Sequence, residues 1–354
     1  MKTIVVRGKS KFADKTFVYY PIHFMLQHPE VKIKILYFTF EMSKENKYLE
    51  YLSHLLYMLS DIIVSPVDLK SINKEKPVNE EVLNLLKSEE YRPYIEKYEQ
   101  CVQYIDDQKN PTGIRKNILS YADAHGHFEY EKVPITNEIT GEKEYVDKIV
   151  KYIPDDPEEY VFVILDNAAN ISTERGYPTL RDAVNKVSKD FVAIRNRYKY
   201  DLVLIQHQSQ SKEDNDSFKL NRLEPSSDGL GDMKTSARDI NVMLGLFDPY
   251  KYGKDGYAKY TNLGHGGFEG CARFLKVIED RDYGANNNIY ALFFNGASSD
   301  FEELPSPNEP HKLLKFYELA KRIKNINPPS KPNVLRKTPA MFVHIKNKII
   351  GSLT

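Results

Sequence analysis

The stretch that decides the fold is Tyr160–Asn167, with the sequence YVFVILDN. It places six consecutive apolar residues directly before Asp166 and Asn167. An unbroken apolar run of this length predicts a strand that is covered on both faces, as at the centre of a parallel sheet. Ligands of open α/β sheets bind outside the carboxyl ends of the strands. Asp166 is therefore the first candidate for a metal-bound nucleotide site, although an ordinary turn residue at a strand end gives the same pattern.

The composition is that of an ordinary globular protein. Of the 354 residues, 41% are apolar and 28% charged, and 50 basic residues balance 50 acidic ones. The net charge therefore gives no sign of a nucleic-acid partner, although the sum hides how the charges are distributed over the surface. Two cysteines, Cys101 and Cys271, argue against a disulfide framework and fit a reducing compartment. Because no secretory signal or membrane-spanning stretch is visible, we expect a cytoplasmic protein without membrane contact.

Strand patterns alternate with helical patterns along the chain, which predicts one α/β domain with a largely parallel sheet flanked by helices. The predicted core strands are Ile4–Val6, Val31–Phe40, Tyr160–Leu165, Asp201–Gln206, Ile240–Phe247, Ala272–Ile278 and Ile289–Asn295. The first predicted helix has a kink or break at Pro21, and the second is capped by Ser43. Two surface helices are predicted at Asn79–Lys87 and Glu90–Gln100. Three further helices are predicted at Thr112–Ala124, from Pro178 onward, and at His311–Lys324.

Two further features complete the predicted organisation. A β-hairpin is inserted at about residues 128–147, and Ser209–Met233 is a polar loop of the length usually reserved for function or disorder. We assign residues 1–308 to the α/β domain and residues 309–354 to a C-terminal helix and tail.

Gly8-Lys9-Ser10 follows the first predicted strand and corresponds to the closing half of a P-loop. In that motif glycine lets backbone N–H groups approach phosphate, the lysine reaches the β- and γ-phosphates, and the hydroxyl binds Mg²⁺. The full motif, G-x-x-x-x-G-K-[ST], has another glycine at the position that Thr3 occupies here. A bare Gly-Lys-Ser also arises by chance, so this signal needs support from elsewhere in the chain.

That support comes from polar residues that end the predicted core strands in chain order: Glu41, Asp166, Gln206 and, less directly, Arg281. The carboxyl ends of parallel strands share one edge of a sheet, so the first three are expected to converge. Phosphoryl transfer to water needs a phosphate cradle, a metal-positioning carboxylate and a group that orients the water. Asp166 suits the metal shell, Glu41 the activation of water, and Gln206 a γ-phosphate sensor.

The stretches around these residues resemble the RecA-like motor domain of phage-type DnaB replicative helicases. The similarity covers about residues 8 to 304 and includes that family's catalytic glutamate segment, Walker B strand, sensor strand, DNA-binding loop and final hairpin. The corresponding stretches here are Tyr37–Ser43 (YFTFEMS), Val163–Asn167 (VILDN), Leu202–Gln210, Pro225–Leu246 and Phe274–Leu304; Val102–Ile114 matches the strand and helix start before Walker B.

The resemblance implies an ATP-dependent DNA helicase or translocase that acts on single-stranded DNA during replication, with ATP and Mg²⁺ as cofactors. It implies a ring-forming homo-oligomer, a hexamer, with a primase or loader as a further partner, in the host cytoplasm if phage-encoded. The residues that it implies are Gly8, Lys9 and Ser10 for phosphate and Mg²⁺, Glu41 as catalytic base, Asp166 for Mg²⁺, Gln206 for sensing, and Arg281 as an arginine finger that reaches a neighbouring subunit.

Two departures from the family pattern leave alternatives open. The first P-loop glycine is missing, which implies either weaker nucleotide binding or a sequence start inside a longer gene. The Lys-x-Arg finger of the family is Glu279-Asp280-Arg281 here. The alternatives are a catalytically weak RecA-fold subunit that binds DNA or a partner, and a recombinase-type ATPase. Candidate DNA contacts, or equally a charged loop face, are Lys219, Arg222, Lys234 and Arg238.

Overall fold

The structure, a computed structural model, describes residues 2–7, 10–70, 78–136, 141, 143–206, 223–226, 239–284 and 288–326. Its strands, in chain order, are β1 (Thr3–Arg7), β2 (Lys32–Thr39), β3 (Val102–Ile105), β4 (Gly126–Thr136), β5 (Lys143–Pro154), β6 (Glu159–Asp166), β7 (Asp201–Gln206), β8 (Val242–Phe247), β9 (Gly256–Tyr257), β10 (Tyr260–Thr261), β11 (Ala272–Asp280), β12 (Ile289–Asn295) and β13 (Asp300–Glu303).

Within the described ranges, nine strands form one sheet in the order β13-β12-β11-β8-β1-β7-β6-β2-β3. From β8 to β3 the neighbouring strands are parallel, whereas β11, β12 and β13 add antiparallel strands at one end. The predicted fold class, a largely parallel sheet with a C-terminal hairpin, is therefore confirmed. β1 lies between β7 and β8, so β7 separates the strand before the predicted P-loop from β6.

Helices cover both faces of the sheet. They are α1 (Ser10–Asp14), α2 (Tyr20–Gln27), α3 (Lys44–Ser60), α4 (Pro66–Leu69), α5 (Glu80–Leu86), α6 (Arg92–Cys101), α7 (Pro111–Ala124), α8 (Leu180–Tyr198) and α9 (Pro310–Ile326). A π-helical segment, Lys15–Tyr19, joins α1 to α2. None of the helices in the described ranges combines the length and the apolarity that crossing a membrane requires.

Of the predicted kink or break at Pro21, the break is wrong, because the helical path continues from Ser10 to Gln27. The hydrogen-bond pattern changes from π to α at Tyr20, so Pro21 lies in the first turn of α2. A missing backbone N–H is tolerated at that position.

The second half of the predicted apolar run, Val163–Leu165, is buried on both faces, whereas Tyr160 at its start is 53% exposed. Val163 and Leu165 belong to a core cluster that includes Phe191 of α8, whereas Ile164 belongs to the cluster on the other face, which includes Leu52 of α3. Each side chain of this kind contributes about 1.5–3 kcal/mol when it is fully removed from water. The double cover therefore fixes β6, and with it the position of the residues at its carboxyl end.

Two helices are packed more tightly than the sequence suggests. The sequence predicts a surface helix at α6, but Ile95 and Tyr98 are buried in the core, since α6 covers the sheet next to α3. α9 belongs to a third cluster, in which the rings of Phe316 and Phe293 lie 5.3 Å apart. The proposed division at residues 308 and 309 stays a prediction, and residues 327–354 of the predicted tail lie outside the described ranges.

The inserted hairpin is longer than predicted, since β4 and β5 pair from Gly126 with Pro154 to Thr136 with Lys143. Its base packs on the domain through aromatic contacts of Tyr198 with Phe128, at 5.8 Å, and Tyr152, at 4.9 Å between ring centroids. Beyond this base its side chains are mostly exposed.

A pair of stacked histidines lies between the helices on the P-loop side of the sheet. His54 of α3 is fully buried and stacks on Tyr19 at 4.8 Å and on His23 at 5.2 Å. Burial, with a contribution from Lys15, lowers the pKa of His23 to about 4 and the pKa of His54 well below its ordinary value. Both imidazoles are therefore neutral at pH 7.

These histidines predict acid sensitivity. A histidine in the unfolded chain has a pKa of about 6.5, so above that pH these two residues do not change the free energy of unfolding with pH. As the pH falls from about 6.5 towards 4, the unfolded chain takes up protons that the folded chain does not. The free energy of unfolding then decreases by roughly 1.4 kcal/mol per pH unit for a fully buried histidine. His54→Phe should flatten the dependence of the free energy of unfolding on pH between 7 and 5, as measured by urea unfolding. His127→Gln, on the exposed face of β4, is the control and should leave it unchanged. Equal slopes for His54→Phe and wild type would contradict this origin.

Candidate functional site

The carboxyl ends of β2 and β6 bring two of the predicted acids together. Thr39 pairs with Asp166, and the N–H of Phe40 donates to the Asp166 carbonyl at 2.7 Å. Glu41 follows on the exposed rim, where Nδ2 of Asn167 donates to its Oε2 at 2.7 Å. Asn167 is itself held by a hydrogen bond from the N–H of Ala169 to its Oδ1. The two acids therefore lie on the same edge of the sheet.

The first residue of α1 reaches the same point. Ser10 donates its hydroxyl to Oδ1 of Asp166 at 2.6 Å, across 156 positions of sequence. This contact brings the end of the predicted P-loop onto the carboxylate that ends β6. Gly8 and Lys9, the other two P-loop residues, lie outside the described ranges.

The second oxygen of Asp166 belongs to a buried polar network. Tyr37 of β2 has its hydroxyl 2.9 Å from Oδ2 of Asp166 and 2.7 Å from Oδ1 of Asp14. Nζ of Lys47, on α3, lies 2.9 Å from the same Oδ2, 2.9 Å from the Tyr37 hydroxyl and 2.8 Å from Oδ2 of Asp14. All four side chains are at most 1% exposed. The network thus fixes the orientation of Asp166 from below the rim.

The network holds one ammonium against two carboxylates. Burial raises the pKa of Asp14 to about 6, although Lys47 acts in the opposite direction. Burial also disfavours the charged form of Lys47, but Asp14, Asp166 and Glu50 outweigh it and raise the lysine pKa above its ordinary value. Burial likewise raises the pKa of Tyr37 well above its ordinary value, so the phenol keeps its proton. The surplus of carboxylate favours a further cation at this edge.

Gln206 lies on β7, the strand between β1 and β6. It ends β7, in register with Arg7, the last residue of β1. Leu204 pairs with Leu165, so Gln206 extends past the end of β6 on the same edge as Asp166. The predicted convergence of Glu41, Asp166 and Gln206 on one edge therefore corresponds to the sheet topology.

The backbone before Gly8 differs from a complete P-loop. Thr3, at the position of the missing glycine, is the first residue of β1 rather than part of a loop. β1 is paired with β7 on one side and with β8 on the other, through Arg7. The Thr3 N–H donates to Oδ1 of Asn241 at 3.0 Å, and the residues after it in β1 pair with the two neighbouring strands. These residues therefore do not form the cradle that a full P-loop offers to phosphate.

Arg281 lies at the opposite edge of the sheet. β11 runs antiparallel to β8, and Asp280 pairs with Val242 at the start of β8. The Arg281 N–H donates to the carbonyl of Asn241, and its Nε lies 3.6 Å from Oε1 of Glu279. Arg281 therefore lies on the edge opposite Asp166 of its own chain, so a role as a finger requires the site of another subunit.

Of the loops that follow β6 and β7, the structure describes the first and only part of the second. In the loop after β6, Glu174 accepts hydrogen bonds from Asn110 and from the Thr112 hydroxyl, at 2.8 Å for the latter. Most of the loop Ser209–Met233 lies outside the described ranges, as do the four candidate DNA contacts Lys219, Arg222, Lys234 and Arg238. The DNA contacts therefore stay predictions.

The donors at the Asp166 site fit Mg²⁺. The ion prefers hard oxygen ligands and usually takes one or two carboxylates together with water and substrate phosphates. Oδ2 of Asp166 is engaged by Tyr37 and Lys47, so Oδ1 and the Ser10 hydroxyl are the oxygens that would hold the ion.

Comparison with solved structures finds the same arrangement of elements. A DnaB-like replicative helicase, in a study of its interactions with primase, superposes with a TM-score of 0.54 at 11% sequence identity, over 86% of this chain and 57% of that one. A second solved structure, described as an ATPase domain, gives a TM-score of 0.51 at 13% identity, over 86% of this chain and 84% of that domain.

The fold is therefore that of the DnaB-like helicase and of the ATPase domain. The resemblance predicted from the sequence is thus confirmed at the level of the fold. This chain spans little more than half the length of the DnaB-like helicase, and no protein-family model and no curated protein matches it.

Sequence reasoning missed four members of the site: Asp14, Tyr37, Lys47 and Asn167. Tyr37 and Asn167 lie inside the quoted motif stretches, so their positions were available but their roles were not. Lys47 is flanked by Asn46 and Tyr48 in an amphipathic helix, where a lysine usually faces water. The local pattern gives no signal that it is buried, because its partner Asp166 is 119 positions away.

The network predicts an unequal effect of two tyrosine substitutions. Tyr37→Phe should lower the free energy of unfolding by about 1.5–3 kcal/mol, because it removes a hydroxyl bonded to charged partners. Tyr98→Phe is the matched control, since Tyr98 is also buried, at 2% exposed, but among the described residues its hydroxyl bonds only to that of Tyr104, at 2.6 Å. This substitution should cost about 0.5–1.5 kcal/mol. Urea unfolding at pH 7.5 measures both. Equal losses would show that the network adds nothing beyond a neutral hydrogen bond.

Proposed function

We propose that this chain is an ATP-hydrolysing motor domain that moves along single-stranded DNA during replication. The observation that carries the proposal is the meeting of the Ser10 hydroxyl, the Asp166 carboxylate and the Asn167-held Glu41 on one edge of the sheet. The likeness of the fold to a DnaB-like replicative helicase and to a second solved ATPase domain supports it.

The residues divide the work of phosphoryl transfer to water. Mg²⁺ held by Ser10 and Asp166 would supply positive charge to the phosphate oxygens. Glu41 accepts the proton of the attacking water, and Asn167 holds its carboxylate in place through Oε2. Gly8 and Lys9 bind the phosphates in this proposal, and Gln206, at the end of β7, senses the γ-phosphate.

The position of Arg281 supports action between subunits. It lies on the edge opposite Asp166, so it complements the site of a neighbour rather than its own. Such a contact, repeated around a symmetry axis, gives a ring, which we propose to be a hexamer. Single-stranded DNA would pass the loops at Ala168–Tyr177 and Ser209–Met233. The interactions with primase described for the DnaB-like helicase support a primase or a loader as a further partner.

Glu41 gives the direct test. Glu41→Gln should lower the ATPase rate in the presence of single-stranded DNA by about 10²- to 10⁴-fold, the usual contribution of a general base. The control is Glu129→Gln, whose side chain lies on the exposed inserted hairpin and pairs with Lys151. A wild-type rate no higher than that of Glu41→Gln, with and without DNA, would reject the proposal.

A second candidate is a catalytically weak RecA-fold subunit that binds DNA or a partner protein. It is favoured by one observation, the pairing of β1 on both sides at the residues that would otherwise form the phosphate loop.

Nucleotide titration separates the two candidates. If the chain is a motor domain, it should bind ADP with an affinity that Mg²⁺ increases and that Asp166→Asn decreases. Calorimetry measures this affinity. Absence of binding by the wild type at millimolar ATP and Mg²⁺ would favour the weak subunit.

A further inference from the structure

Lys47 contacts the side chains around Asp166, although no sequence motif predicts a role for it. It lies in the first two turns of α3, six positions after Glu41, and its side chain points inward and is 1% exposed. Burial of a lysine carries a large desolvation cost, so its charge needs full compensation by partners. The partners that it has are the residues around the proposed metal-binding carboxylate.

Lys47 contacts one carboxylate oxygen of Asp166, and Ser10 contacts the other. Its ammonium has three N–H donors and three acceptors within reach: Oδ2 of Asp166 and the Tyr37 hydroxyl, each at 2.9 Å, and Oδ2 of Asp14 at 2.8 Å. Oδ1 of Asp166 meets only the Ser10 hydroxyl among the hydrogen bonds of this network. The carboxylate is thus clamped through Oδ2, with Oδ1 turned towards the P-loop side.

Stability alone does not explain such an arrangement. A buried ion pair is often no more stabilising than apolar residues of similar volume, because desolvation offsets the attraction. Here two elements, α1 with Asp14 and α3 with Lys47, each bring a charge to the same point. The arrangement is understandable if the orientation of Asp166 matters.

We propose that Lys47 is a positioning residue for the metal-binding carboxylate: it holds Oδ2 of Asp166 so that Oδ1, with the Ser10 hydroxyl, is presented to Mg²⁺. This inference rests on the proposed nucleotide site. It makes the affinity for Mg²⁺ depend on a residue outside the P-loop and Walker B segments. Loss of partners that hold a metal ligand in place typically lowers metal affinity by about 10- to 100-fold.

A simpler role for Lys47 is to cancel the charge of Asp14. The two roles differ in what happens when both charges are removed. The double variant Asp14→Asn with Lys47→Met keeps the volumes and leaves no unpaired ammonium or unpaired Asp14 carboxylate. If Lys47 only balances Asp14, this variant should bind Mg²⁺ as the wild type does. If Lys47 positions Asp166, Mg²⁺ binding stays impaired.

The experiment is a titration of a fluorescent ADP analogue with and without Mg²⁺, which gives the factor by which Mg²⁺ tightens the nucleotide. Thermal unfolding of each ligand-free variant is measured in parallel. We expect Lys47→Met to unfold at a lower temperature than wild type and the double variant to recover, while the Mg²⁺ factor of both falls by about tenfold or more. Lys44→Met, on the exposed start of α3, is the control and should match the wild type.

The outcomes are distinct. A double variant that folds and shows the Mg²⁺ factor of the wild type overturns the positioning role and leaves the proposed function intact. A wild type that binds the analogue equally with and without Mg²⁺ overturns both. Should Lys47→Met fail to fold, the double variant alone decides.

Discussion

One buried carboxylate, that of Asp166, constrains the rest of the molecule. It is fully buried at the end of an apolar strand, and an unpaired charge there would cost several kcal/mol. Its partners come from three other elements: Ser10 at the start of α1, Tyr37 in β2 and Lys47 in α3. The first helix, the second strand and the helix after it are therefore tied to β6 at one point, and that point is the candidate site.

The direction of the strands places the candidate nucleotide-site residues on one edge of the sheet and Arg281 on the other. Parallel strands from β8 to β3 send their carboxyl ends to one edge, which collects Glu41, Asp166 and Gln206. The antiparallel strand β11 reverses that direction and carries Arg281 to the other edge. In the proposed ring, Arg281 of one subunit would meet the Asp166 edge of the next.

The sequence predicted the parts of the structure whose cause is local. The apolar run predicted β6, of which Val163–Leu165 is buried on both faces, and the strand-end rule placed Glu41 and Asp166 on a common edge. The misses have non-local causes. α6 is amphipathic and polar enough to resemble a surface helix, and Tyr98 is buried because it stacks on Tyr51 of α3 and bonds to Tyr104 of β3. Lys47 could not be assigned, since its charge is compensated by residues that the fold brings from far along the chain.

The central position of β1 has a consequence for synthesis. Ile4 pairs with Val203 and Val242, which follow it by 199 and 238 positions. At a ribosomal rate of about 5–20 residues per second, β1 waits on the order of ten seconds or more before both of its neighbours exist. During that interval an apolar strand with two open edges is exposed on the nascent chain, a state prone to aggregation. β1 can therefore take its place between its two neighbours only after β8 has emerged from the ribosome.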